Sequence, residues 1–329
     1  MASTTMRAMI VEEWGEPADL HLAELPDPQP KAGTVAIDVE AIGCNFFDIL
    51  MVQGKYQVRP PLPFAPGGEI AGTVRAVGDG VGHVKPGDRV FAMLGWGGYA
   101  SVAIAPAASV VRMPASMSFE HGAAFGIVYQ TSYFALVHRT TLRPGETLLV
   151  HAAAGGVGLA AVQIGRALGA RVLATAGSAQ KLAVAREHGA EEAFDYSTPE
   201  WVDRVREATG GRGADVIYDP VGGEIFDLST KCIAFGGRLL VIGFASGTIP
   251  TIAVNRILLK NISIVGLHWG AYRTHDPDKI PQATQELFAL YEKGAIRPVV
   301  SSVHPLTEAA AALAEISSRK SYGKVLLRP

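Results

Sequence analysis

Cysteine is nearly absent: Cys44 and Cys232 are the only two in 329 residues. Two cysteines cannot build a disulfide framework and fall short of a four-cysteine zinc lobe, so free buried thiols in a reducing compartment are expected. Excess charge is lacking too. Lys and Arg number 29 against 31 Asp and Glu, a formal charge of −2, with no basic run. That balance gives no reason to bind nucleic acid or an anionic membrane. The opening residues, "MASTTMRAMIVEEW", lack a basic stretch followed by an apolar one, so no secretory signal is read there and a cytoplasmic protein is expected. No internal repeat or low-complexity tract occurs, and the nine histidines form no triad-like arrangement, which sets hydrolysis aside. From Thr147 to Gly165 there is no Asp, Glu, Lys or Arg, a length at which a membrane helix is conceivable. Glycines at 155, 156 and 158, with Arg166 just beyond, favour a buried strand, a tight turn and a helix instead.

What is present is material for large cores. Hydrophobic residues make up 48% and charged residues 18% of the chain. At about 150 residues per domain, the length suits two domains. Residues 6–115 read as β-rich: "TVAIDVEAIG" (Thr34–Gly43) and "IAGTVRAVG" (Ile70–Gly78) alternate apolar and polar residues, and "DRVFAM" follows a "KPGD" turn. Short strands with Gly/Pro punctuation suggest a small, closed or partly closed barrel. From Ser118 to Thr140 the pattern is helical, with Ser118 as N-cap. Strands and helices then alternate through "TLLVHAA", "RVLATAG", "EAFDY", "ADVIYDPVG", "GRLLVIGF" and "NISIVGL". Six strands with intervening helices predict a doubly wound parallel sheet. The expected division is 1–120, 121–266, and 267–329 returning to the first domain, with the cleft between domains as the default place for chemistry.

The stretch "HAAAGGVG" (His151–Gly158) sits where a strand gives way to a helix, the context a phosphate-binding glycine turn requires. On the G-x-G-x-x-G template, Ala153 takes the first glycine, Gly155 the second and Gly158 the third. The second matters most, because a side chain there would keep a pyrophosphate from the helix N-terminus. Ala154, Gly155, Gly156, Val157 and Gly158 are therefore candidate cofactor-binding residues; the alternative is a small-residue packing turn. At the end of the next strand, where a carboxylate would bind the adenine ribose, stands Ala176, followed by Ser178 and Lys181. A hydroxyl and an ammonium suit a 2′-phosphate, so NADPH is favoured over NADH. Lys181 as an ordinary solvated helix residue is the competing reading.

These residues carry a family resemblance. The chain resembles the medium-chain dehydrogenases/reductases, in their zinc-free quinone oxidoreductase (zeta-crystallin-like) branch, over nearly its full length. "GGEIAGTVRAVGDGVGHVKPGDRV" (Gly67–Val90) is similar to the superfamily's N-terminal signature. "GETLLVHAAAGGVGLAAVQIGR" (Gly145–Arg166) fits the quinone oxidoreductase pattern, including Gln163 and Arg166. The resemblance implies a GroES-like β-rich barrel plus a Rossmann sheet, and NADPH as hydride donor. Zinc-dependent relatives place a Cys three residues before an Asp and a His in a "GHE" triplet. Here those positions hold Asn45 and Gly68, so no metal is expected. Without a Lewis acid, acceptors that take hydride unaided fit best: quinones, or double bonds conjugated to a carbonyl.

By the same resemblance, Asn45 is expected to bond the nicotinamide ribose or the acceptor oxygen. Tyr56 would donate a proton or wall the pocket, with a merely packed aromatic as the alternative. Thr131 is expected beside the nicotinamide, Tyr196 near the adenosine phosphate, and Gly243, Phe244, Ala245, His268 and Trp269 at the sheet edge by the nicotinamide. Arg319 and Lys324 are expected at the adenine-side phosphates. Where the family commonly reads "DTYIRSG" this chain reads "DILMVQG", putting Leu50 in the acceptor pocket, which Trp269 narrows further. An enone or enal reductase is the second functional reading. A non-enzymatic dinucleotide- or RNA-binding protein is the third, disfavoured by neutral charge. The apolar strand "NISIVGL" predicts a homodimer through the last strand of the sheet.

Overall fold

A computed structural model describes residues 5–329, which fall into two compact units: one runs to Ile127 and resumes at Pro298, the other spans Val128–Arg297. In the first unit, β1 (Thr5–Ile10) and β2 (His21–Pro26) pair antiparallel. The main sheet is organised around β3 (Thr34–Gly43), which pairs along its length with β4 (Glu69–Val77). β5 (Arg89–Met93) continues from β4, and β7 (Val110–Arg112) from β5, while β6 (Val102–Pro106) pairs with the first half of β3. Val35, Ile37 and Val39 alternate into the core, as period-two patterning demands, but so does Ile42. The register shift between Val39 and Ala41 accounts for this, since one extra residue re-phases the strand.

The second unit holds β8 (Thr147–Val150), β9 (Arg171–Ala176), β10 (Glu192–Asp195), β11 (Ala214–Asp219), β12 (Ile233–Val241) and β13 (Ser263–Gly266). All six run parallel in the order β10-β9-β8-β11-β12-β13. Leu148, Leu149, Leu173, Ile217 and Leu239 are fully buried, as expected of strands covered on both faces. The order reverses at β8, so the crevice at its carboxyl end, where the glycine turn lies, is where such a sheet receives ligands.

The chain rejoins the first unit at Pro298, not at 267. The helix Lys279–Glu292 stays with the second unit because its apolar face, Ala283, Leu287 and Tyr291, is buried there. Buried polar contacts fasten it: Gln130 donates to Thr284 Oγ1 at 2.7 Å, and Gln163 brackets Arg297 through the backbone at 2.8 and 2.9 Å. Beyond it come β14 (Val300–Pro305) and β15 (Lys324–Arg328), parallel to each other. β15 adds antiparallel to the second half of β3, beside Ile42 and Gly43.

Candidate functional site

Where β3 ends, the chain turns through Asn45 into the helix Phe46–Val52. Asp48, one turn into it, accepts the Asn45 backbone N–H at 2.8 Å, which fixes the turn. The ammonium of Lys324 arrives from β15 and donates three hydrogen bonds: to Cys44 O at 2.9 Å, Asn45 Oδ1 at 2.7 Å and Glu69 Oε1 at 2.5 Å. Lys324 is 4% exposed and Glu69 1%, so this is a buried ion pair with its donors filled. Glu69 also accepts the Ile127 N–H at 2.9 Å. The Lys324 contact settles the orientation of the Asn45 amide, because only an oxygen can accept from an ammonium. Asn45 Nδ2 then donates to Glu69 Oε1 at 3.0 Å and Gly43 O at 3.2 Å. Both amide hydrogens are engaged.

Asp48 is buried beneath this cluster, and burial pushes its carboxyl up to about 7, against the lowering influence of the Asn45 N–H, Lys324 and Tyr99. Tyr99 donates to its Oδ2 at 3.2 Å, whereas Oδ1 has no hydrogen-bond partner among the described residues. Burial also pushes the Cys44 thiol up to about 12, so it is an inert packing group. Cys232 is buried and free as well. Half-buried Tyr56 stacks on Phe47 with ring centroids 5.4 Å apart and planes at 27°. Burial, helped by the Asp48 charge, raises its phenol, which keeps the proton in place. Leu50 lies half-buried on the same helix, so the structure brings Asn45, Leu50 and Tyr56 into one unit.

In the second unit, Ala152 takes a left-handed conformation (φ 47°) and its carbonyl accepts Gly155 N–H at 2.9 Å, closing the turn. Gly155 N-caps the helix Gly156–Ala167. A Cβ at Gly158 would lie 2.3 Å from Ala152 O and 2.8 Å from Ala153 Cα, so only glycine fits. At Gly155 a Cβ would meet only Ala152 O, at 3.3 Å, leaving the approach to the helix N-terminus open. The first-turn amides Gly156, Val157 and Gly158 have no intrahelical acceptors, the arrangement that receives phosphate. Ala154 is buried, while Gly155, Gly156 and Val157 are partly accessible. Ser132 donates to Val157 O at 2.9 Å and takes a hydrogen bond from Tyr218, also at 2.9 Å, which ties the helix carrying Thr131 to the turn.

His151, which opens the motif, is structural. Ser229 spends its proton on Ile225 O at 2.6 Å, so it accepts from His151 Nε2 at 2.8 Å. Nδ1 then accepts from Thr175 at 2.7 Å. Burial lowers this imidazole to about 3, keeping it neutral. At the end of β9, Ser178 caps the helix Ala179–Glu187 by accepting the Lys181 N–H at 3.3 Å. The Tyr196 ring lies over Gly177, where a Cβ would stand 3.2 Å from Cε2. Ser178, Lys181 and Tyr196 are thus gathered at the carboxyl ends of β9 and β10. Gly243, Phe244 and Ala245 follow β12, the last two exposed, and His268 is exposed beyond β13. Trp269 is 8% exposed, more a packed residue than an open wall, and its Nε1 has no hydrogen-bond partner among the described residues.

One expected cofactor contact is otherwise engaged. Lys324 has its ammonium donors consumed by the Asn45–Glu69 cluster, so it does not serve the adenine-side phosphates. Arg319 is exposed at a left-handed turn (φ 56°) in the first unit. Glu69, Phe47 and Ser132 escaped the sequence reading. The readable signals were a carboxylate inside an apolar strand and a lysine opening "KVLLRP", two charges that need each other once buried.

A strand-rich unit with a polar cluster, joined in sequence to a doubly wound sheet with a glycine turn at its switch point, is the scaffold of a dinucleotide-dependent oxidoreductase. Comparisons with known proteins agree. Residues 31–115 match the "Alcohol dehydrogenase GroES-like domain" family and residues 156–289 the "Zinc-binding dehydrogenase" family. The chain is 40% identical over 326 residues to "Quinone oxidoreductase-like protein 2 homolog" of Nematostella vectensis, covering 98% of this chain and 88% of that one. It is 36% identical over 325 residues to human "Quinone oxidoreductase", covering 98% and 97%. The Escherichia coli quinone oxidoreductase, solved in complex with NADPH, superimposes with a TM-score of 0.90 at 34% identity, covering 98% of this chain and 100% of that one. The chain belongs to the quinone oxidoreductase family of the medium-chain dehydrogenases/reductases.

The zinc in one matched description does not fit the donors here. Asn45 has both amide hydrogens committed, Gly68 offers no side chain, and the Lys324 ammonium already neutralises Glu69. Among the described residues, no three His, Cys, Asp or Glu side chains converge as a metal site. No helix of the described residues is long and apolar enough to cross a membrane.

Proposed function

We propose that this chain is an NADPH-dependent quinone reductase that works without a metal. The observation that carries the reading is the Asn45–Glu69–Lys324 cluster, in which an ammonium sits on the carboxylate and asparagine has replaced a thiolate. Such a site cannot polarise an alcohol as a Lewis acid does, and it suits an acceptor that takes hydride directly. NADPH supplies that hydride when bound. The glycine turn and the Gly156–Gly158 amides hold its pyrophosphate; Ser178 and Lys181, with no carboxylate at Ala176, favour the 2′-phosphate. Thr131 and the loops Gly243–Ala245 and His268–Trp269 flank the nicotinamide. Asn45 accepts a hydroxyl hydrogen of the nicotinamide ribose through Oδ1, since its own donors are committed. Tyr56 holds its proton and can deliver it to the acceptor.

The protein works as a homodimer in the cytoplasm. The dimer is supported by β13, the terminal strand of its sheet, and by the adjacent helix Val254–Lys260, which buries none of its residues and leaves Leu258 and Leu259 each 75% exposed. The buried free thiols suit a reducing compartment.

The test is NADPH oxidation followed by absorbance against a small quinone and a simple enone in parallel, with NADH as control. Quinone turnover with NADPH is expected. Lys181→Ala is expected to raise the NADPH KM about tenfold, the ~1.4 kcal/mol of one charge-assisted contact, with little effect on NADH. Turnover of the enone alone, lost in Tyr56→Phe, would make the protein an alkene reductase instead.

A further inference from the structure

Gly68 poses a question that its backbone does not answer. Its neighbour Gly67 has φ 100° and needs to be glycine, but Gly68 is not among the residues with positive φ. What a side chain at 68 would strike is the ring of Phe47: a Cβ would lie 2.4 Å from Cζ and 2.9 Å from Cε2, with Ile127 Cδ1 next at 3.5 Å. The space of the missing side chain is filled by that ring. Phe47 lies two residues beyond Asn45, in the first turn of the helix Phe46–Val52, and three before Leu50, so Phe47 and Leu50 share a helix face. Its ring is half-buried and stacked on Tyr56 at 27°. Wedged over Gly68 and backed by Tyr56, it cannot easily turn aside, and being only half-buried it keeps part of its surface accessible.

We propose that Phe47 is the specificity-determining wall of the acceptor site, a fixed flat aromatic face that selects planar conjugated rings over extended aliphatic acceptors, and that Gly68 is glycine to admit it. The inference rests on the quinone-reductase reading. An offset-stacked ring gains from the aromatic quadrupole as well as from apolar contact, a gain a straight-chain enal does not share.

The test compares wild type, Phe47→Leu, Gly68→Ala and the double variant with para-benzoquinone and a straight-chain enal. NADPH affinity is read separately from cofactor fluorescence, and folding from thermal melts. Phe47→Leu is expected to raise the quinone KM about tenfold, the ~1.4 kcal/mol equivalent of one decade, while kcat, enal kcat/KM and NADPH affinity stay within about twofold. Gly68→Ala, which displaces the ring, should raise the quinone KM likewise, and should add nothing in the Phe47→Leu background. If Gly68→Ala does not fold, the Phe47→Leu comparison decides alone. An unchanged quinone KM in folded Phe47→Leu, equal losses for quinone and enal, or additive effects in the double variant would overturn the inference while leaving the quinone reading intact. Failure of the wild type to reduce the quinone with NADPH would remove the reading and the inference with it.

Discussion

Replacing Lys324 by methionine removes one partner of a buried ion pair and leaves the other where water cannot reach it. Glu69 would retain the Asn45 Nδ2 and Ile127 N–H donors and lose its counter-charge. Breaking such a pair costs about 3–5 kcal/mol, chiefly because the remaining charge stays buried. At ~2–4 °C per kcal/mol, the first unit should melt roughly 10 °C lower. The sign of the pH dependence follows. Lys324 is one of the influences that lower the buried Asp48 carboxyl, so its loss leaves that carboxyl raised further above its unfolded value, and a raised carboxyl contributes stability that is present below the unfolded value and lost as pH rises through the folded one. The deficit of Lys324→Met should therefore narrow on going from pH 7 toward pH 5, by up to ~1.4 kcal/mol per unit. Thermal and urea melts of both proteins across this range measure the effect. A deficit below ~1 kcal/mol, or one that does not change with pH, would refute the account. A Glu69→Gln second change should recover part of the loss by making the site neutral; no recovery would show that packing, not charge, held it together.

Other expectations rest on other groups. His151, lowered to about 3 by burial, contributes stability that is complete above its unfolded value of ~6.5 and falls with pH toward 3, at up to ~1.4 kcal/mol per unit; denaturant melts of His151→Leu should lack that slope. Asp48, raised to about 7, acts in the opposite sense, its contribution present below the unfolded carboxylate pKa and lost as pH rises toward 7. Asp48→Asn keeps an acceptor for the Asn45 N–H and should therefore be more stable than wild type at pH 8, by about 1–3 kcal/mol; a lower melting temperature there would count against the buried-charge reading. Leu258→Glu, placed on the exposed face of its helix, should shift the light-scattering mass from twice to once 34.6 kDa without altering the melt, and an unchanged mass would remove that face from the interface.

The parts of the fold legible in the sequence were those whose partners lie close by along the chain. The strands from Thr147 to Gly266 announce themselves as mostly apolar runs, and the glycine turn follows from its place between β8 and the next helix. The crossing back to the first unit was misplaced because nothing local distinguishes the helix Lys279–Glu292 from one packed elsewhere. Its allegiance is written in Gln130–Thr284 and Gln163–Arg297 contacts, each more than a hundred residues apart. Lys324 was misread for the same reason: its partner Glu69 lies 255 positions away, and a lone lysine near a terminus looks like a solvent-facing phosphate ligand. Phe47 could not be found by periodicity, because its meaning depends on what is missing at Gly68.

The place of β15 has a consequence for how the protein is made. The second half of β3 stands without its neighbour on that side until the ribosome has added residues 324–328, and until then Glu69 has no ammonium. The second unit is contained within Val128–Arg297 and can fold while synthesis continues. Assembly of the first unit thus waits on a strand encoded almost three hundred residues after its sheet begins, and a nascent chain cut short of it exposes an open strand edge and an uncompensated carboxylate. Such chains carry the features that chaperones and proteases recognise, so truncation here should be read out as degradation rather than as a soluble, inactive enzyme.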